Sequence, residues 1–322
     1  MKIGALLIFK NESHYLQNYM NNVNKFADFI VGYDDKSHDD SKEIFIKNGG
    51  ILVDSLLEQN FSNGGQDNMR NLVLEEGRSL GGTHFCVLDA DERLLFASNI
   101  ALKSNLNSLL PGQKLALDWI NIWGNLENYC THGWPWAPRK KAFFFRDEKN
   151  MSYPIHKKHK DSYHLDRLPN KKDAPRWLSL NQPEFGVLHL QHANFELTEI
   201  KQIWYQFIEL RQTSFAAAYI NQKYDDSKKN LAKYEKVPSE WNLLLSEEGN
   251  SQNIDNDWRV HEILEMVDVY GIKFFEKLNV WDNKMLKSLW HEIYIGEPQV
   301  SFTFTRTERL RWAIEKIKRK IG

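Results

Sequence analysis

Asp89 and Asp91 stand one residue apart in Asp89-Ala90-Asp91-Glu92, directly after the apolar run Phe85-Cys86-Val87-Leu88. Two carboxylates at the C-terminal edge of a buried parallel strand can offer hard oxygen ligands to a divalent cation and leave space for a diphosphate beside it. In that reading Asp91 ligates Mg²⁺ or Mn²⁺, Asp89 contacts the metal or a ribose, and the cation neutralises charge growing on a departing diphosphate. The competing reading is a solvated acidic turn, which a chain of 322 residues with 43 Asp and Glu can produce by chance. Glu92 either orients a ligand or water of that cation or simply begins the next turn.

The elements that would hold this pair alternate from the start of the chain. Lys2 to Phe9 is an apolar run of strand length, and after Asn11-Glu12 the residues Tyr15, Leu16, Tyr19, Met20 and Val23 recur at helical spacing. Phe26 to Tyr33 reads as a second strand that stops at Asp34-Asp35-Lys36-Ser37. Asp39-Asp40-Ser41 can cap a short helix that Gly49-Gly50 terminates, before a third strand at Ile51 to Val53. A helix from about Gln66 carries Arg70-Asn71 and ends near Gly81-Gly82, feeding the strand that bears Asp89. Helical crossovers imply a parallel sheet, and ligands bind such α/β sheets at the C-terminal strand ends. The acidic pairs therefore converge on one edge. Beyond them, a helix to about Leu109 and a strand over Lys114 to Trp123 are expected, and Asn125 to Arg139 reads as a long aromatic loop. Strands follow at Lys141 to Arg146, near Pro154 to His159 and at Phe185 to Gln191. The rest reads as helix over Glu196 to Lys223, a polar linker, and helix over Trp258 to Leu278, with a boundary near residue 224.

Lys10-Asn11-Glu12, Asp34-Asp35-Lys36-Ser37, Arg70-Asn71 and Asp89-Ala90-Asp91-Glu92 together resemble the nucleotide-binding half of an inverting family 2 glycosyltransferase of the type A fold, in order and in spacing. A weaker likeness to the bacterial lipopolysaccharide-core glucosyltransferase branch runs through Arg146, Tyr153-Pro154-Ile155-His156 and His192-Ala193-Asn194-Phe195; that branch has Glu where this chain has Lys157. The resemblance implies a mostly parallel nucleotide-binding sheet with helices on both faces and a helical C-terminal region. The boundary near residue 224 divides the chain into a catalytic domain over 1–224 and a helical region over 225–322, and the resemblance divides the former into a donor half over 1–125 and an acceptor half over 126–224. The resemblance further implies donor contacts from Asn11, Asp34, Asp35, Arg70, Asp89 and Asp91, with Asp34 and Asp35 at the base and ribose and Arg70 at the base or diphosphate. The bland reading of these residues is turns, caps and surface ion pairs. His189 and His192 are an odd number of residues apart, so a regular strand turns at most one toward the site; the family pattern favours His192 as a metal ligand or diphosphate contact, and His156 on the acceptor or diphosphate side. Expected partners are a nucleoside-diphosphate sugar, UDP-linked ahead of GDP-linked, and a glycan or glycolipid acceptor.

Inverting transfer needs a carboxylate base to take the proton of the attacking hydroxyl, and Asp161, Asp166, Asp173 and Glu184 are the candidates in the acceptor half. Trp134 and Trp136 could stack on a sugar ring or pack a long loop. With 42% hydrophobic and 13% aromatic residues the chain can bury one large core or two modest ones, and a net charge of −1 argues against a dedicated nucleic-acid binder. Cys86 and Cys130 make neither a disulfide framework nor a zinc spacing. The apolar N-terminal run is too short for a signal-peptide core, and no run approaches the roughly 18 residues of a membrane span, so a cytoplasmic location is expected. From Arg306 to Gly322 seven basic residues face two acidic ones, and Leu310, Ile314, Ile317 and Ile321 form one helical stripe. Such a helix either docks on the protein's own core or lies on an anionic membrane surface. A sugar nucleotidyltransferase would need a glycine-rich loop after the first strand, which Ile8-Phe9-Lys10-Asn11 lacks. A non-catalytic glycan-binding or scaffolding protein on the same fold is the alternative of another class.

Overall fold

The computed structural model describes residues 1–54, 65–96, 98–133, 137–154, 167–170, 173, 175–180, 184–212, 216–228, 233–246, 248 and 257–303. The chain opens with β1 (Ile3–Phe9), α1 (Ser13–Val23), β2 (Phe29–Asp34), α2 (Ser41–Lys47), β3 (Gly50–Leu52), α3 (Gln66–Ser79) and β4 (His84–Val87), the alternation that the apolar periodicity predicts. Next come β5 (Glu92–Leu95), α4 (Asn99–Asn107), β6 (Lys114–Asn121), β7 (Asn128–His132), β8 (Arg139–Arg146), β9 (Leu178–Ser179) and β10 (Gly186–His189). Among the described residues, nine strands form one sheet in the order β3-β2-β1-β4-β8-β6-β10-β5, with β9 beside β6. Only β5 and β8 run against the common direction, so the C-terminal ends of β1, β2, β4, β6 and β10 share one edge.

Strand alternation explains why helices cover both faces. Ile3, Ala5, Leu7 and Phe9 of β1 pack with Leu16, Tyr19, Met20 and Val23 of α1, Phe45 of α2, and Leu102 and Leu106 of α4. Leu6, between them, joins Met69, Val73 and Leu74 of α3 on the opposite face. A period of two on the strand and a period near 3.6 on each helix make this three-layer packing possible. Gly32 marks the closest approach, since a Cβ there would come within 2.4 Å of the Phe45 ring; α2 can seat on β2 because that side chain is missing.

The chain continues as α5 (Phe195–Gln212), α6 (Ala217–Lys228), β11 (Lys233–Lys236), α7 (Asn242–Leu245), α8 (Trp258–Tyr270), α9 (Ile272–Phe275) and α10 (Lys284–Ile293). Of the described residues, those within 1–157, 164–195 and 232–252 form one compact unit, and those within 196–231 and 253–322 a second. The second unit has its own core of Trp204, Phe207, Ile208, Ile263, Phe275, Trp281 and Trp290, with Phe207 and Phe275 stacked at 4.0 Å. Residue 224 thus falls inside α6 rather than at a boundary, and the chain returns to the first unit before leaving it again. Trp241 and Leu245 of the returning segment pack with Ile120, Ile122, Leu188 and Leu190.

Several expected elements change. The helix expected over Glu196 to Lys223 is two helices. The one expected over Trp258 to Leu278 breaks at Gly271, whose φ of +77° glycine adopts without a Cβ clash. The stretch read as an aromatic loop contains β7, which pairs with β11 about a hundred residues later, a long-range partnership that no local pattern announces. The last strand of the sheet stops at His189, and Leu190–His192 form a 3-10 turn. The strand expected near Pro154 to His159 and the C-terminal helix over Thr307 to Ile321 lie largely or wholly outside the described residues. No helix among the described residues is long and apolar enough to cross a membrane.

Candidate functional site at the edge of the central strands

The acidic turn is held from two sides. Behind it, Glu92 is fully buried at the start of β5 and accepts hydrogen bonds from the Asp89 backbone N–H (2.8 Å), Trp119 Nε1 (2.8 Å) and Arg167 Nη2 (2.9 Å). It therefore begins a strand, and its oxygens are committed to positioning the turn. Arg93, 1% exposed, donates to the carbonyls of Ala90 (2.7 Å), Glu92 (2.9 Å) and Tyr15 (3.0 Å) and forks onto Glu248 at 2.6 and 3.0 Å. A guanidinium with its donors in a fixed plane suits this task, because each bond pins a different segment.

The two carboxylates of the turn then differ. The Asp89 side chain is 46% exposed and takes a hydrogen bond from Arg167 Nη2 at 2.8 Å. Burial of the turn opposes its charge, but Arg167, then Arg70, hold its carboxyl below the usual range. Desolvation likewise works against the Arg167 charge, and Asp89 and Glu92 more than restore it. Asp91 is 5% exposed, and its Oδ2 lies 3.6 Å from Nε2 of His189. The Leu190 N–H donates to the Asp91 carbonyl at 2.9 Å, which fixes the end of β10 against the turn. His189 Nδ1 is 2.8 Å from Asn121 Oδ1, and its ring lies 4.4 Å from the Trp119 ring. With Nδ1–H donated to Asn121, Nε2 carries its lone pair beside Asp91; a reversed Asn121 amide would exchange the roles.

His192 is buried in the 3-10 turn, 5.2 Å from Trp123 and 6.1 Å from His189 by ring centroids. The expectation that alternation separates the two histidines fails because the strand ends at the first of them. His189, which the pattern left aside, is the one beside Asp91. Asn11 occupies a left-handed conformation, φ +51°, its N–H bonded to Ser37 Oγ at 2.8 Å and its Oδ1 accepting from the His38 N–H at 2.7 Å. It ties the loop after β1 to the loop after β2. Asp34 ends β2, two strands and so about 10 Å across the sheet from β4, and its Oδ1 accepts from the Ser37 N–H at 3.1 Å. Asp35 is 1% exposed, with its N–H on the Phe9 carbonyl at 2.8 Å.

Arg70, on the second turn of α3, reaches the Arg167 carbonyl at 3.4 Å and lies over the Tyr153 ring at 5.8 Å. Its neighbour Asn71 forms a two-bond pair with the backbone of Tyr153 at 2.9 Å each way, so the expected Arg-Asn unit divides into a residue whose charge favours ionised Asp89 and a residue that clamps a loop. Asp173 and Glu184 are both exposed turn residues. Glu184 precedes β10 and so stands at the N-terminal edge, away from Asp89. Trp134, Trp136, His156, Asp161 and Asp166 lie outside the described residues.

Trp119, Asn121, Arg93, Arg167 and Glu248 were not legible as site residues. Trp119 and Asn121 are same-face positions of an ordinary strand, Arg167 sits in a polar stretch without a motif, and Glu248 is remote in sequence. Among the described residues, no group of three or more His, Cys, Asp and Glu side chains could hold a metal ion alone. Asp91 and His189 do set an oxygen and a nitrogen side by side, and a divalent ion that takes one or two protein ligands and completes its shell with phosphates and water fits that donor set.

No family model and no curated protein matches the chain. Solved structures to which it is similar include glucosyl-3-phosphoglycerate synthase from Mycobacterium tuberculosis with Mg²⁺ and uridine diphosphate, at 15% identity over 38% of this chain and 43% of that one, with a TM-score of 0.25. The same enzyme with Mn²⁺, UDP-glucose and phosphoglyceric acid is similar at 16% identity over 38% and 44%, TM-score 0.23. A further structure of it gives 16% identity over 39% and 46%, TM-score 0.25. The chain spans less than half the length of these neighbours, and superpositions of that quality assign it no activity.

Proposed function

We propose that the chain is a glycosyltransferase of the type A fold that moves one sugar from a nucleoside-diphosphate donor to a carbohydrate acceptor with inversion. The observation that carries this reading is the Asp89-Ala90-Asp91 turn, braced by Glu92 and Arg93 at the C-terminal edge of a mostly parallel sheet, with Arg167 at Asp89 and His189 at Asp91. Asp34 and Asp35, two strands away on the same edge, suit the nucleobase and ribose, which sets the diphosphate over β4. Asp91, with His189 beside it, would hold Mn²⁺ or Mg²⁺ while phosphates and water complete the shell, and Asp89 and His192 would act from outside that pair; the chemistry such an ion supplies is neutralisation of the leaving diphosphate. The hydrogen bond from His189 Nδ1–H to Asn121 Oδ1 would keep Nε2 available to such an ion.

In the transfer, an acceptor hydroxyl attacks the anomeric carbon, the bond from that carbon to the diphosphate oxygen breaks, and a carboxylate takes the hydroxyl proton. Asp173, Asp161 and Asp166 remain the candidates for the base; the edge position of Glu184 disfavours it. A UDP-linked donor, a surface glycan or glycolipid acceptor, a cytoplasmic location and membrane contact through the basic face near the C-terminus complete the proposal.

The test is nucleotide-dependent stabilisation followed by donor turnover. UDP or GDP at 100 times its dissociation constant contributes about 2.7 kcal/mol, readily seen in a melting curve. Asp91→Asn, which preserves the shape of a buried side chain, is expected to keep the fold and lower transfer by about a hundredfold or more. Full activity in that variant, or no stabilisation by any nucleoside diphosphate with Mn²⁺, would overturn the reading.

A further inference from the structure

Lys141 lies on β8 opposite Leu117, with Arg139 opposite Trp119, so both belong to the end of β8 beside the acidic turn. Its Nζ rests 3.1 Å from the centre of the Trp119 ring, the same ring whose Nε1 holds Glu92 and which packs on His189. The Arg139 guanidinium approaches that ring as well, at 5.1 Å. Lys141 is half-buried, and among the described residues its ammonium has no hydrogen bond and no ion pair. Nearby carboxylates do not supply one, because Arg167 and Trp119 already engage Glu92, and Arg167 engages Asp89.

A partly desolvated cation that no carboxylate pairs with directly opposes folding, and the ring beneath it, with the more distant charges of Glu92 and Asp89, returns only part of what the lost water supplied. Burial first, then the charges of Arg167 and Arg139, depress its pKa to about 7 against the pull of Glu92 and Asp89. Methionine would fill the same space at lower cost. Retained charge beside a cluster of committed carboxylates marks a place for an anion that arrives with a ligand.

The geometry points to Lys141 as the residue that receives the diphosphate of the donor, with the Trp119 ring holding its ammonium in place. This deepens the donor reading above and rests on it. A compact ammonium is a point-charge partner for phosphate oxygens that turn as the leaving group departs, whereas Arg167 is fixed in its fork to Asp89 and Glu92.

The experiment compares the full chain with Lys141→Met and Lys141→Arg by titration with UDP and with uridine, with Mn²⁺ and with a chelator, at pH 6.5. Lys141→Met is expected to weaken UDP about tenfold, to leave uridine affinity unchanged and to raise the melting temperature. Lys141→Arg should keep most of the UDP affinity. If Lys141→Met does not fold, Lys141→Gln gives the same comparison. UDP binding equal to wild type in the charge-free variant overturns the assignment, including the case in which only the acceptor KM rises, which would place the ammonium at an anion of the acceptor. Absence of UDP and GDP binding in the wild type is a different result and overturns the donor reading together with this assignment.

Discussion

At Asp89, Arg167 is the main cation that favours the ionised carboxyl, and the pH dependence of stability follows from that contact. A carboxyl whose folded pKa is depressed contributes stability that is present above its unfolded pKa and lost as pH falls through the folded one. Arg167→Met is therefore expected to lose stability at neutral pH and to lose less of it than wild type on acidification from about pH 5 to pH 2, as read from denaturant midpoints. An unchanged acid limb would show that the Asp89 contact is not coupled to folding. At Lys141 the charge is unfavourable rather than favourable to the folded state, yet stability again rises with pH. The ammonium's folded pKa of about 7 lies below the unfolded value, so its penalty is complete below that pH and fades as pH rises toward about 10.4. The melting temperature gained by Lys141→Met should be larger near pH 6 than near pH 9.5, and an equal gain at both would mean that packing rather than charge is being relieved.

The segment between the halves of the second unit decides how the acidic turn is supported. β11 pairs with β7, Trp241 packs 5.1 Å from Tyr129, and Glu248 then meets Arg93 with side-chain exposures of 4% and 1%. Removing one member of such a buried pair leaves the other charge without compensation, at a cost of about 3–5 kcal/mol. Glu248→Met should show a loss of that size in urea unfolding. The double variant Arg93→Met with Glu248→Met should regain much of it, because no charge then remains buried. UDP binding should stay weakened in the double variant despite the regained stability, since the Ala90 and Glu92 carbonyls lose their donor. Recovery of both stability and binding would reduce the pair to a fold contact with no part in positioning the turn.

Over the whole molecule, each compact unit carries its own core, so a cavity in one should be felt there first. Phe207→Ala removes a fully buried ring stacked on Phe275 and is expected to cost about 3–5 kcal/mol, with faster amide exchange concentrated in α5, α8 and α9 and with UDP binding retained. Exchange rising equally through β1 and β4 would show the two cores to be one cooperative system. The alternation of β1 through β4 and the Asp89-Ala90-Asp91 turn were legible in the residues alone, because apolar period, caps and strand-end carboxylates are local signals. The two-helix division of 195–228 and the break of α8 at Gly271 were not, since helical periodicity continues across them. Nor could sequence distinguish His189 from His192, because that choice depends on where β10 stops. The groups that support the turn, Trp119 and Arg167 on Glu92 and Glu248 on Arg93, come from strands and loops up to 155 residues away in sequence; such contacts are set by sheet order and chain return, and only tertiary packing brings them together.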